Sequence, residues 1–434
     1  MAPGASPDAL LAAYAAALAA SDPARVVREG LAAHEVALET GRDRPHWILA
    51  TGKAAPAMAG AAVAFCRAAE RRIAGGLVVG AAASEAPAPG IVTCVGDHPV
   101  PGARSAAAAA QVEAFAERVA PDDVVLVLIS GGTSSLIGAP IPGVRGEDFA
   151  ALHALLLGAG VPIGRTNAVR KRVARWGAGR LAVALRQAQV IPICLADVPN
   201  EDPAMIGSGP ISPDPLTAAH VERILRDAGI ATRIPLSIAS ALGAVRHRVA
   251  GETPKPGDAA FARVADPFVV GNGAALEAIA GVAQGLGAAP VLLSRTPLQG
   301  DATAAGRTIA HAVARAAPGT WLIWGGETTV RLPTGHGTGG RCQQLALAAA
   351  EVLAETGAPA TLLAAGTDGR DGPTDAAGAL VDATTWGAVR AAGVDPTAAL
   401  RHCDAHAALA AAGALLPART TGTNVMDVVV ARRS

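Results

Sequence analysis

The chain has 434 residues, more than one ordinary hydrophobic core supports, which points to two or three domains. Lys plus Arg equals Asp plus Glu at 36 each and aromatics make up 3% of residues, so neither a charge field nor an aromatic–basic platform marks a nucleic-acid partner. Its five cysteines are odd in number and form no C-x-x-C pair, so they read as reduced cytosolic thiols and exclude a disulfide frame.

The N-terminal stretch MAPGASPDALLAAYAAALAASDP has no basic n-region, and Asp8 precedes its apolar run. It reads as a helix started at Ser6-Pro7 and stopped at Asp22-Pro23, not as a signal peptide. HWILATG (46–52) is a buried strand, and Lys53 follows it at the start of a helical run. This is no P-loop, because Trp47 stands where the first glycine belongs and Ala54 replaces Ser/Thr. A lysine at a helix N-terminus opposes the macrodipole, so either an anion lies nearby or Lys53 is a solvated surface residue.

GLVVGA (76–81) and VVLVLIS (124–130) are the next strands. The second opens into Ser130, Gly131, Gly132, Thr133, Ser134, where glycines let N–H groups converge on an anion and hydroxyls add donors; the alternative is an ordinary tight turn. The uncharged run 124–144 holds too many breakers for a membrane helix, so a soluble cytoplasmic protein without a membrane partner is expected. In TNAVRKRVARWGAGRLA (166–182), a capping-type Thr166-Asn167 precedes Arg170, Lys171, Arg172 and Arg175, most of which read as the basic face of a solvated helix. VIPICLAD (190–197) ends in Asp197 and continues as a long proline-rich loop, a functional signal with Asp197 as its best candidate; Asp202 and Asp214 are equally good turn formers.

Proline and charge interrupt the alternation in AGETPKPGDAAFAR (250–263), so a boundary is expected near residue 250, with the first thirty residues fitting either half. PFVVGN (267–272), APVLLS (289–294), TWLIWGG (320–326) and ATLLAAGTD (360–368) resume it. Continuous apolar runs separated by helical stretches give an α/β class with mostly parallel sheets, and such sheets place ligands at strand carboxyl ends.

In GHGTGGRCQQ (335–344), Gly335, Gly337 and Gly340 spell the dinucleotide fingerprint G-x-G-x-x-G. The context is wrong: TTVRLPTG just before it looks like an antiparallel neighbour of WLIWGGE, and neither Glu355 nor Asp368 stands where the ribose acid belongs. Arg341 instead places a cation at a helix's positive end and calls for an anion, so removing it is expected to leave stability nearly unchanged. GTDGRDGPTDAAG (366–378) carries Asp368, Asp371 and Asp375, wrongly spaced for an EF-hand but suited to one or two Mg²⁺ ligands, or to Asx turns. Cations and backbone donors for phosphates together with metal carboxylates are what phosphoryl transfer needs.

LISGGTSSL, DVPNEDPAMIGSGPISPDP, WGGETTVRL, GTGGRCQQLALAAA, AAGTDGRDGPTDAAGA and TGTNVMD resemble the signature segments of class II glycerate kinases, the glycerate 2-kinases with a C-terminal MOFRL domain. The resemblance runs from about Lys53 to Asp427. It implies two Rossmann-like α/β domains with mostly parallel sheets and an inter-domain active-site cleft, here 1–250 and 251–434 with the MOFRL region at about 318–430. It implies ATP- and Mg²⁺-dependent phosphorylation of D-glycerate to 2-phosphoglycerate, with an NAD(P)H-dependent hydroxypyruvate reductase, or a kinase of a related small hydroxy acid, as alternatives. The partners are then D-glycerate and ATP, with a homodimer as a candidate assembly.

By the same resemblance the catalytic residues fall on Lys53, Asp197 and Arg341. Substrate- or nucleotide-phosphate-binding candidates are Ser130, Gly131, Gly132, Thr133, Ser134, Asn167, Arg170, Glu327, Gly339 and Gly340, and the metal candidates are Asp368 and Asp371. The chain departs from the family pattern at Cys342, Gln343 and Gln344, at Asn200 and Glu201, and at Thr133, which bears on substrate choice more than on reaction class.

Overall fold

A computed structural model describes residues 7–247 and 249–434. Its contacts divide the chain into a unit of residues 23–196 and 201–269, and a second of residues 7–22, 197–200 and 270–434. The expected boundary near 250 therefore moves to 269–270. The proline-rich stretch does not act as a linker, because Glu252 and Thr253 bind Arg172 and the chain at Val264 bridges to Val190. The N-terminal helix Pro7–Ala20 belongs to the second unit, where Tyr14 Oη donates to the Gly366 carbonyl at 2.7 Å; the expected start at Ser6 lies outside the described residues. No single helix among the described residues is long and apolar enough to cross a membrane.

The first unit is built on strands β1 (His46–Thr51), β2 (Ile73–Gly80), β3 (Ile91–Val95), β4 (Val124–Ile129), β5 (Gln189–Leu195) and β6 (Phe268–Val270), whose last residue opens the second unit. They lie in the order β3-β2-β1-β4-β5-β6, and the pairs among β1–β5 are parallel. Every residue of β1 and β4 is buried, as a sheet covered on both faces requires of its central strands. This is the order of doubly wound dinucleotide-binding sheets, and its direction reverses between β1 and β4. Apolar side chains of four helices, including Phe149, Leu152, Val169, Val221 and Ile238, form a separate cluster in the same unit. Its helix Ile163–Val173 is not the solvated basic face expected: Lys171 and Arg172 are buried against the fully buried Asp214, at 3.0 and 3.3 Å.

The second unit holds β7 (Val291–Leu293), β8 (Trp321–Gly326), β9 (Ala360–Gly366), β10 (Ala376–Asp382), β11 (Leu415–Pro417) and β12 (Asp427–Arg433), in the order β11-β10-β9-β12-β8-β7. The α/β class holds, but only β7 and β8 pair parallel; the other pairs are antiparallel. Apolar runs report burial on two faces and are silent about direction. Here β12 returns between β8 and β9 and runs against both. TTVRLPTG forms no strand, because Pro333 lacks a donor and Gly335 turns to φ +73°; only an isolated bridge joins Thr329 to Asp301.

At the centre of this unit lies the helix Arg341–Thr356, buried on nearly all sides from Cys342 to Leu353. It packs against the helix Ala302–Arg315, where Gly306 permits the approach: a Cβ there would stand 2.2 Å from the Leu345 carbonyl oxygen. Alanine normally stabilises a helix interior by about 1 kcal/mol over glycine. Backbone cannot step aside, so overpacking at about 1–3 kcal/mol wins. Gly306→Ala should therefore lower the melting temperature by several degrees in calorimetry; an unchanged or higher value would show that the two helices do not meet as described.

Candidate functional site

In the first unit the candidates gather where the strand order reverses. Lys53 follows β1 and the Ser130–Ser134 turn follows β4, and the two turns are stitched together. Lys53 N–H donates to the Gly131 carbonyl at 2.9 Å and Ala54 N–H to Ser130 Oγ at 3.1 Å. Thr133 Oγ1 donates to the Thr51 carbonyl at 2.8 Å. A Cβ on Gly52 would stand 2.1 Å from Ser130 Oγ, so glycine is required there, and its φ of +122° requires it again.

The hydroxyls of Ser130 and Thr133, expected as ligand donors, are thus internal fastenings. What remains open is the backbone: the N–H groups of Gly131, Gly132 and Ser134 have no hydrogen-bond acceptor among the described residues. Lys53 is exposed, and its ammonium has no carboxylate partner among them.

Asn167 and Arg170 lie on the helix Ile163–Val173, both half-buried. Arg170 Nε donates to His153 Nε2 at 2.8 Å. An imidazole accepting that bond is neutral at the bonded nitrogen, and burial, reinforced by the guanidinium, pushes the His153 pKa down to about 4. Arg170 therefore keeps an uncompensated positive charge.

In the second unit the carboxylates are already engaged. Arg341 heads its helix, and its guanidinium forks onto Asp427 at the start of β12, Nε to Oδ2 at 2.6 Å and Nη2 to Oδ1 at 2.9 Å. Nη1 meets Glu327 at 2.7 Å. Glu327, expected among the binding residues, is here an exposed ion-pair partner of Arg341. Burial pushes the Asp427 pKa up to about 6 despite the arginine beside it, with Asp371 and Glu327 adding to the rise.

Asp371 fills the positive end of that helix, accepting from Cys342 N–H at 3.1 Å and Gln343 N–H at 2.8 Å while only 2% exposed. Each of its oxygens thus accepts one amide of the helix's first turn, which is a helix-capping arrangement. A Cβ on Gly340 would stand 2.2 Å from Asp371 Cγ, and one on Gly372 2.5 Å from the Gly339 oxygen. Gly339 and Gly340 thus admit the 371–372 loop, and that loop covers them. Cys342, Gln343 and Gln344 are also buried; the two amides donate to the Asp371 and Leu400 carbonyls, among others.

Asp368 differs. Half-buried, it accepts only the Arg370 N–H, at Oδ1, among the described residues. Gly366 leaves room between it and Asp427: a Cβ there would stand 2.9 Å from Asp368 Oδ1 and 3.5 Å from Asp427 Oδ1. No group of three or more His, Cys, Asp or Glu side chains among the described residues is arranged to hold a metal. Asp197 ends the β5 run half-buried and belongs by its contacts to the second unit.

Two further residues stand beside these candidates. Asp427 was legible only as an acid at the head of the apolar run DVVVA, and His98 only as a histidine in the glycine- and proline-bounded turn GDHPVPG.

The expectation that stability ignores Arg341 is overturned by its partner. Removing the guanidinium strands a buried carboxylate, at a cost of roughly 3 kcal/mol. Arg341→Ala should therefore melt well below wild type at pH 8. Its folded Asp427 pKa then stands further above the unfolded value, so the variant should regain part of the deficit as pH falls through 6 toward 5. Denaturant titrations at the two pH values check this; a deficit that is absent or grows with acid contradicts the pairing.

Two family models match the chain, one mostly within each unit. A family model described as "Domain of unknown function (DUF4147)" matches residues 9–243, and one described as "MOFRL family" matches residues 320–427. D-glycerate 2-kinase of Thermotoga maritima is 34% identical over 395 residues, covering 88% of this chain and 89% of the relative. A protein of Agrobacterium vitis named as a hydroxypyruvate reductase is 36% identical over 394 residues, covering 88% and 85%. The crystal structure of glycerate kinase from Thermotoga maritima superposes with a TM-score of 0.84 at 32% identity, covering 98% of this chain and 99% of that one. The chain belongs to the family of glycerate 2-kinases that carry a C-terminal MOFRL domain.

Proposed function

We propose that the protein transfers a phosphoryl group from ATP to the 2-hydroxyl of D-glycerate, giving 2-phosphoglycerate and ADP. The observation that carries this reading is an unpaired lysine beside three open backbone N–H groups at the reversal point of a doubly wound sheet, in a chain similar to D-glycerate 2-kinase over nearly its whole length. Lys53 draws in and neutralises an anionic group of the substrates, and the N–H groups of Gly131, Gly132 and Ser134 donate to its oxygens. Arg170 adds a second cation in the same unit. Asp197 orients the 2-hydroxyl and receives its proton. Arg341, held at Nε and Nη2 by Asp427, presents Nη1; its partner there, Glu327, is exposed and yields that donor to an arriving anion. The protein works on these small molecules in the cytoplasm, without a nucleic-acid or membrane partner.

Mg²⁺, when bound, neutralises charge on the phosphate oxygens. Asp368 is the carboxylate that suits it, since such an ion takes one or two carboxylates and completes its shell with phosphates and water. Asp368→Asn should raise the Mg²⁺ concentration needed for half-maximal rate. Asp371→Asn should cost about 1–2 kcal/mol of stability through lost helix capping, seen as a lower melting temperature, and leave the Mg²⁺ requirement alone. The reverse pattern would return the metal to Asp371.

A reductase has the sheet order and the Agrobacterium relative in its favour. It lacks the glycine fingerprint after β1, where Thr51–Pro56 holds one glycine and a lysine. Purified protein given ATP, Mg²⁺ and D-glycerate should yield a product that enolase consumes without added mutase, and should not oxidise NADH with hydroxypyruvate. NADH turnover without ADP formation would sink the kinase reading, and a product that needs the mutase would move the phosphoryl group to the 3-hydroxyl.

A further inference from the structure

β3 ends at Val95, and Gly96–Gly102 cross to the next helix, Ala103–Arg118. This short loop is pressed onto the turn after β4. A Cβ on Gly96 would stand 2.1 Å from the Leu136 carbonyl oxygen, and one on Gly138 2.6 Å from Pro101 Cβ. Ser135 Oγ donates to the Pro99 carbonyl at 2.6 Å. On the other side Asp97 caps the helix, accepting from Arg104 N–H at 2.9 Å and Ser105 N–H at 3.3 Å, while its own N–H donates to Ser105 Oγ at 2.8 Å.

Between these fastenings sits His98. A Cβ on Gly132 would meet its Cδ2 at 3.1 Å and its Nε2 at 3.4 Å, and Lys53 Cγ at 3.4 Å. The imidazole, the lysine stem and the Gly132 backbone therefore converge on one point. His98 is exposed, and neither ring nitrogen has a hydrogen-bond partner among the described residues. A loop fixed at both ends, presenting a ring with no partner beside an unpaired lysine, is built for a ligand rather than for packing.

We propose that His98 contacts the hydroxy acid directly, its Nε2 hydrogen-bonding a substrate hydroxyl beside Lys53. This rests on the reading that Lys53 and the open N–H groups receive the acid substrate. The charged groups facing the ring are Lys53 from the turn after β1 and, along its own loop, Asp97, which is paired with Arg104 at 2.7 Å. Partial burial and the Lys53 ammonium hold the imidazole below its ordinary pKa, so it is neutral near pH 7. A neutral imidazole offers one donor and one acceptor, which complements a hydroxyl; a phosphate oxygen accepts only and is better served by the lysine.

Two variants separate contact from packing. His98→Phe keeps a ring over Gly132 without nitrogens, and His98→Gln places an amide near the Nε2 position. His98→Phe should raise KM for D-glycerate by about tenfold, with KM for ATP within about twofold, and His98→Gln should recover most of the loss. In NMR spectra the ring signals of His98, identified by their absence in His98→Phe, should shift on adding D-glycerate and stay put with propionate, which lacks hydroxyls.

An unchanged glycerate KM in His98→Phe, a change confined to ATP, or a His98 signal blind to saturating D-glycerate overturns the assignment. If wild-type protein makes no phosphoglycerate while the His98 signal still answers D-glycerate and not propionate, the kinase reading fails and the contact stands.

Discussion

β1 and β4 lie side by side, but the chain leaves them in opposite directions, toward β2 from one and toward β5 from the other. Loops that diverge cannot cover the strand ends between them, so the gap must be lined by whatever the two turns supply. Here the turns are tied to each other through Ser130, Thr133 and Gly52, leaving Lys53 and three N–H groups with nothing inside the unit to bind. That separation of labour is chemically sensible. Hydroxyls hold the geometry, while the backbone dipoles they fix in place are left without acceptors inside the unit.

The second unit handles its charges by internal pairing. A cation at a helix's positive end is unfavourable by itself, and Asp371 and Asp427 offset it from two sides, one on the amides and one on the guanidinium. Buried ion pairs of this kind add little net stability over an apolar core, since desolvation consumes most of the attraction. Their value is directional: a bidentate fork fixes the plane of Arg341 as a lysine could not.

Much of this was legible from residue patterns. The strands β1, β4, β5, β8 and β9 stand where continuous apolar runs placed them, and Lys53 and the Gly131–Gly132 turn, singled out separately in the sequence, stand side by side at the ends of β1 and β4. Strand direction in the second unit was not legible, because burial on both faces looks alike for parallel and antiparallel neighbours. Nor were the roles of Asp371 and Glu327, since a carboxylate in a glycine-rich loop reads the same whether it faces a metal, an amide or an arginine. Gly335, Gly337 and Gly340 mimicked a nucleotide fingerprint while answering local needs: Gly337 and Gly340 make room for the side chains of Asp404 and Asp371, and Gly335 turns the chain. Long-range partners, Asp427 for Arg341 and His98 for Gly132, carry no periodicity that a linear scan can register.

The helix Pro7–Ala20 precedes the first unit in sequence yet packs in the second, chiefly on the helix Asn272–Gly285, with Tyr14 bonded to Gly366 and the Ser21 carbonyl accepting from Thr423. During synthesis it leaves the ribosome well before any of these partners. The intervening unit of residues 23–196 and 201–269 is made before them and can consolidate early. An alanine-rich segment, apolar nearly all round, that ends by burying Leu10, Ala13, Tyr14 and Ala17 is meanwhile without those partners. Nascent chains of this protein therefore carry an apolar segment whose partners are still to be made, the kind of exposed surface that chaperones shelter.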